Sequence, residues 1–146
     1  MLRDRAWILS HIPHQGAMCL LDQVLDWDSS RVRCLSRAHR SPANPLRSEG
    51  RLSSLCGIEF AAQAMAVHGA LCAEELPATR QGGYLVSLRN VTLNCERLDD
   101  IEEDLVATAS RLGGDAVTVL YDFTLHAESR SLVTGRATIV INPAAL

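Results

Sequence analysis

The stretch "GIEFAAQAMAVHGA", Gly57–Ala70, decides the fold of this chain of 146 residues. Its apolar residues cover every side of a helix, which is typical of a helix buried at the centre of a domain. Ser53 and Ser54 precede it and are good N-cap residues, and Pro77 lies beyond a predicted end near Glu75. The sequence therefore predicts one central helix that the rest of the chain must cover.

Strand-like runs lie on both sides of this helix. Residues 1–17 favour a short helix or coil. Six runs follow the strand pattern: Met18–Asp28, Arg31–Ala38, Gly83–Asn94, Asp104–Leu112, Ala116–Ala127 and Leu132–Ile141. Only one helix separates the strands, which disfavours parallel winding. The pattern predicts a single α+β domain over residues 1–146, in which an antiparallel sheet curls around one long buried helix.

The connections between the strands differ in kind. Three are typical of turns and hairpins: Asp28-Ser29-Ser30, Gly113-Gly114-Asp115 and Glu128-Ser129-Arg130. The connection "HRSPANPLRSEGR", His39–Arg51, is an unusually long loop that is rich in Pro, Ser, Asn and Gly. Long ordered loops in small domains are often functional. We therefore consider the polar residues of this loop as site candidates.

Composition restricts the class of protein. Hydrophobic residues make up 47% of the chain, which supports a real core, and a net charge of −3 without a basic patch argues against nucleic-acid binding. The five cysteines form no C-x-x-C pair, which disfavours a disulfide framework or a zinc site. His11 and His14 lack a thiol or carboxylate beside them, and Pro13 breaks a helix there. We expect neither a metal nor a cofactor.

The cellular location is predicted from two absences in the sequence. No sustained apolar run follows the charged residues near the first position, so no signal peptide is predicted. The longest apolar stretch contains Glu59 and His68, which favours a buried helix of a soluble protein over a membrane span. A cytoplasmic protein is expected.

Glu59 is the residue that raises the question of function. A lone buried carboxylate costs several kcal/mol unless it is paired or hydrogen-bonded. Glu59 either caps backbone donors near the helix start, where the dipole contributes about 0.3–1 kcal/mol, or faces a pocket and transfers protons. Gln63 lies four residues later on the same helix face, which favours a pocket. His68 falls about half a turn away, and we interpret it as structural.

Four stretches resemble one enzyme family in order and spacing. They are "IPHQGAMCLLDQVLDWD", "IEFAAQAMA", "GYLVSLRNVTLNCERLDD" and "VTGRATIVIN". Together they resemble the hotdog-fold 3-hydroxyacyl-[acyl-carrier-protein] dehydratases of fatty-acid synthesis. More narrowly, the chain resembles the divergent dehydratase-like subunits of aryl-polyene and xanthomonadin pathways. The resemblance implies removal of water from a carrier-bound 3-hydroxyacyl thioester to give the enoyl thioester.

The resemblance also implies partners and a mechanism. The partners are acyl carrier protein, with substrate on phosphopantetheine, and a second hotdog subunit in a homodimer or heterodimer. In the family, a loop histidine and a helix carboxylate face each other across the dimer interface, and the carboxylate position matches Glu59. Gln63 matches the motif glutamine and is a candidate for substrate binding. The thioester is expected over the helix start, near the amides of Ser53, Ser54 and Leu55.

The family's loop histidine is missing from its expected place, because the ungapped position holds Pro45. Three candidates for the catalytic histidine stay open: His39, His14, or a histidine of a partner subunit. Asn44 and Arg47 are candidates for binding the carrier protein or phosphopantetheine, against the simpler interpretation that Asn44 forms a turn and Arg47 is solvated.

Two other functions stay open beside the dehydratase. The same fold hosts acyl thioesterases, in which a helix carboxylate activates water. A non-catalytic partner subunit is the third possibility, and the missing histidine motif favours it. A dimer is expected in each case, because a curled sheet leaves an edge strand that pairing would cover.

Overall fold

The computed structural model describes residues 3–75, 84–115 and 117–140. The helices and strands are α1 Arg5–His11, α2 Gly57–Glu75, β1 Gln23–Trp27, β2 Arg31–Ser36, β3 Tyr84–Leu93, β4 Leu105–Gly114, β5 Thr118–Ala127 and β6 Arg130–Val140. All six strands form one antiparallel sheet in the order β1-β2-β4-β5-β6-β3. The predicted α+β arrangement, with one long helix against an antiparallel sheet, is confirmed.

Helix α2 forms the core with the central strands. It packs against β2, β4 and β5, and its fully buried side chains include Phe60, Val67 and Leu71. Each large apolar side chain buried in this way stabilises the fold by about 1.5–3 kcal/mol. A Cβ added at Gly57 would lie 2.8 Å from Leu125 Cδ2 and 2.9 Å from Val133 Cγ2, so a larger residue would force these side chains to shift.

The apolar character of α2 also fits a membrane span by length and composition. The segment Ser54–Glu74 has a mean hydropathy of 1.3, and 56% of it is buried inside the fold. Burial on this scale is typical of the core helix of a soluble protein. The burial of α2 agrees with the prediction of a buried helix.

Several predicted boundaries are wrong: β2 ends at Ser36 and not at Ala38, and β6 begins at Arg130, which was predicted to lie in the turn. The strand predicted from Met18 begins only at Gln23, because residues Gly16–Met18 form a 3₁₀ turn. The hairpin turn predicted at Gly113-Gly114-Asp115 starts later, since β4 continues through Gly114. The side chain and the backbone of Asp115 both hold this turn: Oδ1 accepts the amides of residues 117 and 118 at 2.8 and 2.9 Å, and the Asp115 amide donates to Thr118 O at 2.9 Å. The predicted strand ends at 83, 116 and 141, and Pro77, lie outside the described residues.

The N-terminal segment lies along α2 and is fastened to it. Glu74, near the end of α2, accepts from Arg3 Nη2 at 2.9 Å and from Trp7 Nε1 at 3.2 Å, and lies 3.5 Å from His11 Nε2. Helix α1 ends at His11, two residues before Pro13, as the proline predicts. The N-terminal segment is therefore anchored at Glu74, near the end of α2, and runs from there toward the start of α2.

Strand β3 is a free edge with an apolar surface. It is hydrogen-bonded only to β6, at the end of the sheet. Five of the eight exposed large apolar residues in the described part of the chain lie on it: Tyr84, Leu85, Val86, Leu88 and Leu93. An exposed apolar edge of this kind is a site for pairing with another chain.

Candidate active site

Glu59 lies in the first turn of α2 and is held through one of its two oxygens. Its side chain is 33% exposed, and Oε1 lies 3.0 Å from His14 Nε2 and 3.1 Å from Gln63 Nε2. Within the described residues, no hydrogen bond reaches Oε2. The carboxylate is therefore oriented through Oε1.

The surroundings of Glu59 keep it ionised. The hydrogen bond from His14 is the largest influence and lowers the pKa of Glu59, and the bond from Gln63 acts in the same direction. Partial burial raises the pKa, but the two donors outweigh it. A carboxylate with a pKa below its usual range carries no proton at neutral pH. It is ready to accept one.

Gln63 connects Glu59 to the segment that precedes β1. Its Nε2 donates to Met18 O at 2.7 Å as well as to Glu59, and its Oε1 accepts from Leu20 N at 2.8 Å. The predicted pairing of Gln63 with Glu59 on one helix face is confirmed. Because both amide protons are used, Gln63 has no donor left for a substrate. The resemblance implied that Gln63 binds substrate, whereas in the structure its amide donates to Glu59 and holds that carboxylate in position.

His14 reaches Glu59 from the bend between α1 and the following 3₁₀ turn. Arg5 Nη2 donates to Gly16 O at 2.9 Å, and Gln15 Nε2 donates to Leu9 O at 2.9 Å, which fixes the bend on either side. The second ring nitrogen, Nδ1, is buried without a hydrogen-bond partner in the described part of the chain. In the neutral ring, the proton therefore sits on Nε2 and is donated to the carboxylate.

His39 lies elsewhere and is part of the core. Its side chain is fully buried, and Nε2 lies 3.0 Å from Ile101 O, to which it donates. Burial is the main cause that lowers the pKa of His39, so the ring is neutral at pH 7. Of the histidine candidates within this chain, the structure brings His14 to Glu59 and directs His39 to a backbone carbonyl.

Two of the three amides that were expected to be free at the start of the central helix are occupied. Ser54 N donates to Glu96 O at 3.0 Å, and Leu55 N donates to Ser53 Oγ at 3.2 Å. The side chain of Ser53 is thus the predicted cap, and it consumes the donor that was assigned to the thioester oxygen. Within this chain, neither the Ser54 amide nor the Leu55 amide is left to stabilise an oxyanion.

Asn44 and Arg47 hold the long loop together. Asn44 is 5% exposed, its Nδ2 donates to Ala38 O at 2.9 Å, and its Oδ1 accepts from Leu46 N at 2.9 Å. Arg47 donates to three backbone carbonyls of the same loop, at 2.8 to 3.1 Å. Both side chains are therefore engaged within the loop, where the predicted carrier contact would need them free.

A cavity of about 460 Å³ opens beside the start of α2. Its lining residues are Leu46, Ser48, Arg51, Ser53, Cys56, Glu96 and Arg97. Neither Glu59 nor His14 lines it. Arg51 makes no ion pair within the described residues, while Arg97 is paired with Asp99. In the single chain, the carboxylate and its histidine thus lie outside this cavity.

The backbone contacts that complete the site are not visible in the sequence. Gln63 is anchored by main-chain groups of Met18 and Leu20, and the segment holding them was predicted as a regular strand. No side-chain pattern marks such a contact. Within the described residues, no group of three or more His, Cys, Asp or Glu side chains lies close enough to hold a metal.

Solved structures share this fold. The chain is similar to a chain of the dehydratase heterocomplex ApeI:P from Xenorhabdus doucetiae, with a TM-score of 0.83, 22% identity, and coverage of 94% of this chain and 92% of that one. Zebrafish thioesterase superfamily member 2 matches with a TM-score of 0.64 and 15% identity, over 94% and 95% of the two chains. A thioesterase from Haemophilus influenzae matches with a TM-score of 0.60 and 12% identity, over 92% and 81%.

These likenesses confirm the hotdog fold that the resemblance implied. Among curated protein sequences, none is significantly similar to the chain. The model of one protein family, the ApeP-like family, described as ApeP dehydratase, matches residues 7–145 of the chain. The chain therefore belongs to the family of ApeP-like dehydratases.

Proposed function

We propose that the chain is a subunit of a cytoplasmic 3-hydroxyacyl-[acyl-carrier-protein] dehydratase and that Glu59 is its catalytic proton-transfer group. Family membership supports the reaction class. One observation carries the role of Glu59: its Oε1 is held by His14 and Gln63, while its Oε2 has no bond within the described residues. A carboxylate that is oriented, ionised and open on one side is what proton abstraction requires.

The reaction removes a proton from C2 and a hydroxyl group from C3 of the acyl thioester. Glu59 accepts the C2 proton on Oε2, and the electrons of the C2–H bond form the C2=C3 double bond. The C3–O bond breaks, and the oxygen leaves as water after taking a proton from an acid. His14 and Gln63 hold the carboxylate in place during this transfer.

The acid that protonates the leaving oxygen comes, in this proposal, from a second hotdog subunit. His39 is occupied by Ile101 O, and the buried Nδ1 of His14 faces no solvent. The ApeI:P structure is a heterocomplex, and the apolar edge of β3 offers this chain a surface for such a partner. The substrate in this proposal is a growing polyene chain on acyl carrier protein, as in aryl-polyene synthesis.

The experiment uses the chain together with its partner hotdog subunit and a 3-hydroxyacyl carrier protein. Dehydration is read by mass spectrometry as the loss of one water from the carrier-bound chain. Glu59→Gln should lower kcat by about 10²-fold or more, in line with general-base catalysis. Glu128→Gln is the matched control, since it makes the same change at an exposed turn residue before β6 that contacts neither Glu59 nor His14. It should keep kcat within about threefold.

The other outcomes identify the alternative functions. Release of a free carrier thiol, without the loss of water, would assign the chain to the thioesterases. An unchanged rate in the Glu59→Gln complex would show that the chain is a non-catalytic partner. His14→Gln and His39→Gln separate the two histidines: the first should lower kcat by about tenfold through the orientation of Glu59, and the second should leave it near the wild-type value.

A further inference from the structure

Arg5 binds a turn of the backbone and no carboxylate. It is the first residue of α1, is half-exposed, and makes no ion pair within the described residues. Its Nη1 donates to Cys19 O at 2.5 Å, and its Nη2 donates to Gly16 O at 2.9 Å. A guanidinium group presents its N–H groups in a rigid planar fork, so it can fix two acceptors at once. Arg5 therefore ties the turn that contains both carbonyls to α1.

Two other elements hold the same five residues, 16–20. Gln63 on α2 donates to Met18 O at 2.7 Å, and its Oε1 accepts from Leu20 N at 2.8 Å. Ser36, the last residue of β2, is fully buried and donates from Oγ to Leu20 O at 2.5 Å. Of the three side chains that hold this segment, the arginine alone is half-exposed. It can therefore be replaced without opening the core.

His14 depends on this segment for its position. It lies two residues before Gly16, whose φ of +57° is in the left-handed region that glycine allows, and its Nε2 lies 3.0 Å from Glu59 Oε1. The orientation of a functional histidine is often set by a hydrogen bond at its other ring nitrogen. The Nδ1 of His14 is buried and has no such partner in the described part of the chain. The backbone on either side of the ring must therefore place it.

The charge of Arg5 does not act on Glu59 directly. Within the described residues, the groups that lower the pKa of Glu59 are His14, which has the largest effect, and Gln63, while burial opposes them. Both groups act by donating to the carboxylate, so their effect depends on hydrogen-bond geometry. Any influence of Arg5 on the carboxylate must therefore pass through the position of these two donors.

We propose that Arg5 is a positioning residue: by clamping two backbone carbonyls of the turn after His14, it keeps that ring in contact with Glu59. It supplies through the backbone the orientation that the Nδ1 of the ring does not receive. The proposal rests on the proposed function for its catalytic readout, while the geometry that it invokes can be measured without catalysis.

The test measures the pKa of Glu59 in the full chain by NMR. Titration of the side-chain carboxyl carbon, assigned by its disappearance in Glu59→Gln, reports this pKa directly. In Arg5→Gln the contact with His14 loosens, so the pKa of Glu59 should rise toward the usual value for a glutamate. Arg5→Lys keeps the positive charge but replaces the fork with a single point donor, so it should raise the pKa of Glu59 as well.

Arg33→Gln is the matched control. Arg33 is also half-exposed, and the only hydrogen-bond partner of its side chain within the described residues is Asp26, at 2.6 Å. This variant should keep the wild-type pKa of Glu59. A wild-type pKa in folded Arg5→Gln, or an equal rise in Arg33→Gln, would overturn the proposal. A wild-type pKa in Arg5→Lys would also overturn it, since charge alone would then suffice. Circular dichroism checks that each variant is folded, and Arg5→Lys decides the question if Arg5→Gln is not.

Catalysis gives a second readout, in the complex with the partner hotdog subunit. Arg5→Gln should lower kcat by about three- to tenfold, which is no more than the effect of His14→Gln, and should leave KM within about twofold. A rise in KM with kcat unchanged would contradict a positioning role. If Glu59→Gln keeps full activity, the proposed function fails, and the NMR titration still decides the role of Arg5. If Glu59→Gln is inactive and the titration shows no change in Arg5→Gln, only the positioning role fails.

Discussion

Gln63→Leu tests whether one buried amide supports both the fold and the carboxylate. The substitution keeps a side chain of similar size and removes three hydrogen bonds: to Met18 O, to Leu20 N and to Glu59. Leu20 is fully buried, so its amide cannot turn to water. An orphaned buried polar group costs about 1–3 kcal/mol, and two backbone groups lose their partner here. We expect a loss of about 3 kcal/mol in the free energy of unfolding.

Urea unfolding followed by circular dichroism measures this loss. With a slope of about 2 kcal/mol per molar urea, a change of about 3 kcal/mol moves the midpoint down by about 1.5 M. Gln15→Leu is the matched control, because Gln15 is an exposed glutamine of the same segment that bonds to Leu9 O. An exposed position of this kind should change stability by no more than about 0.5 kcal/mol.

The same variant should shift the pH dependence of catalysis. Gln63 is one of two donors that lower the pKa of Glu59, so its removal raises that pKa toward the usual value for a glutamate. Because the reaction needs the ionised carboxylate, the acidic limb of kcat/KM should move to higher pH. A variant that unfolds within about 1 kcal/mol of wild type and keeps its acidic limb unchanged would refute the linking role of Gln63.

Three further changes have defined outcomes. Burial lowers the pKa of His39 and of His68 below the usual 6.5. Below about pH 6.5 the unfolded chain therefore binds more protons than the folded chain, and the free energy of unfolding should fall as the pH drops. Urea titrations at a series of pH values measure this, and His39→Gln should flatten the slope. Tyr121→Phe removes a 2.7 Å hydrogen bond to His68 Nδ1 and should cost about 1–2 kcal/mol in calorimetry with no change in kcat. Gly57→Ala places a Cβ 2.8 Å from Leu125 Cδ2 and should cost about 1–3 kcal/mol in urea unfolding.

The fold was predictable because its two signals are local. Residues close together in the sequence define both the apolar helix Gly57–Glu75 and the alternating strand Thr118–Ala127. The periodicity of their apolar residues predicts which faces pack into the core. The contact between Glu59 and Gln63 was predictable for the same reason, since residues four apart share a helix face. The predicted boundaries were wrong where no apolar pattern marks them, as at the 3₁₀ turn Gly16–Met18 and at the turn that Asp115 holds with its side chain and its backbone amide.

The histidine at the site was not predictable from spacing. His39 and His14 both precede the helix, and only the path of the chain between them decides which one meets Glu59. The loop that contains His39 is held by Asn44 and Arg47 through backbone carbonyls, and a sequence does not display which carbonyls lie near. From the sequence alone, polar residues of a loop fit two interpretations equally well: they bind a substrate or partner, or they hydrogen-bond to the backbone of their own loop.

The anchoring of the N-terminal segment at both ends of α2 has a consequence for local motion. Glu74 holds Arg3, Trp7 and His11, and Glu59 holds His14, at points about 22 Å apart along the helix axis. Fraying that starts near residue 3 must break the Glu74 cluster before it can reach the histidine. The contacts of Glu74 thus protect the contact between His14 and Glu59 from fraying that begins near residue 3.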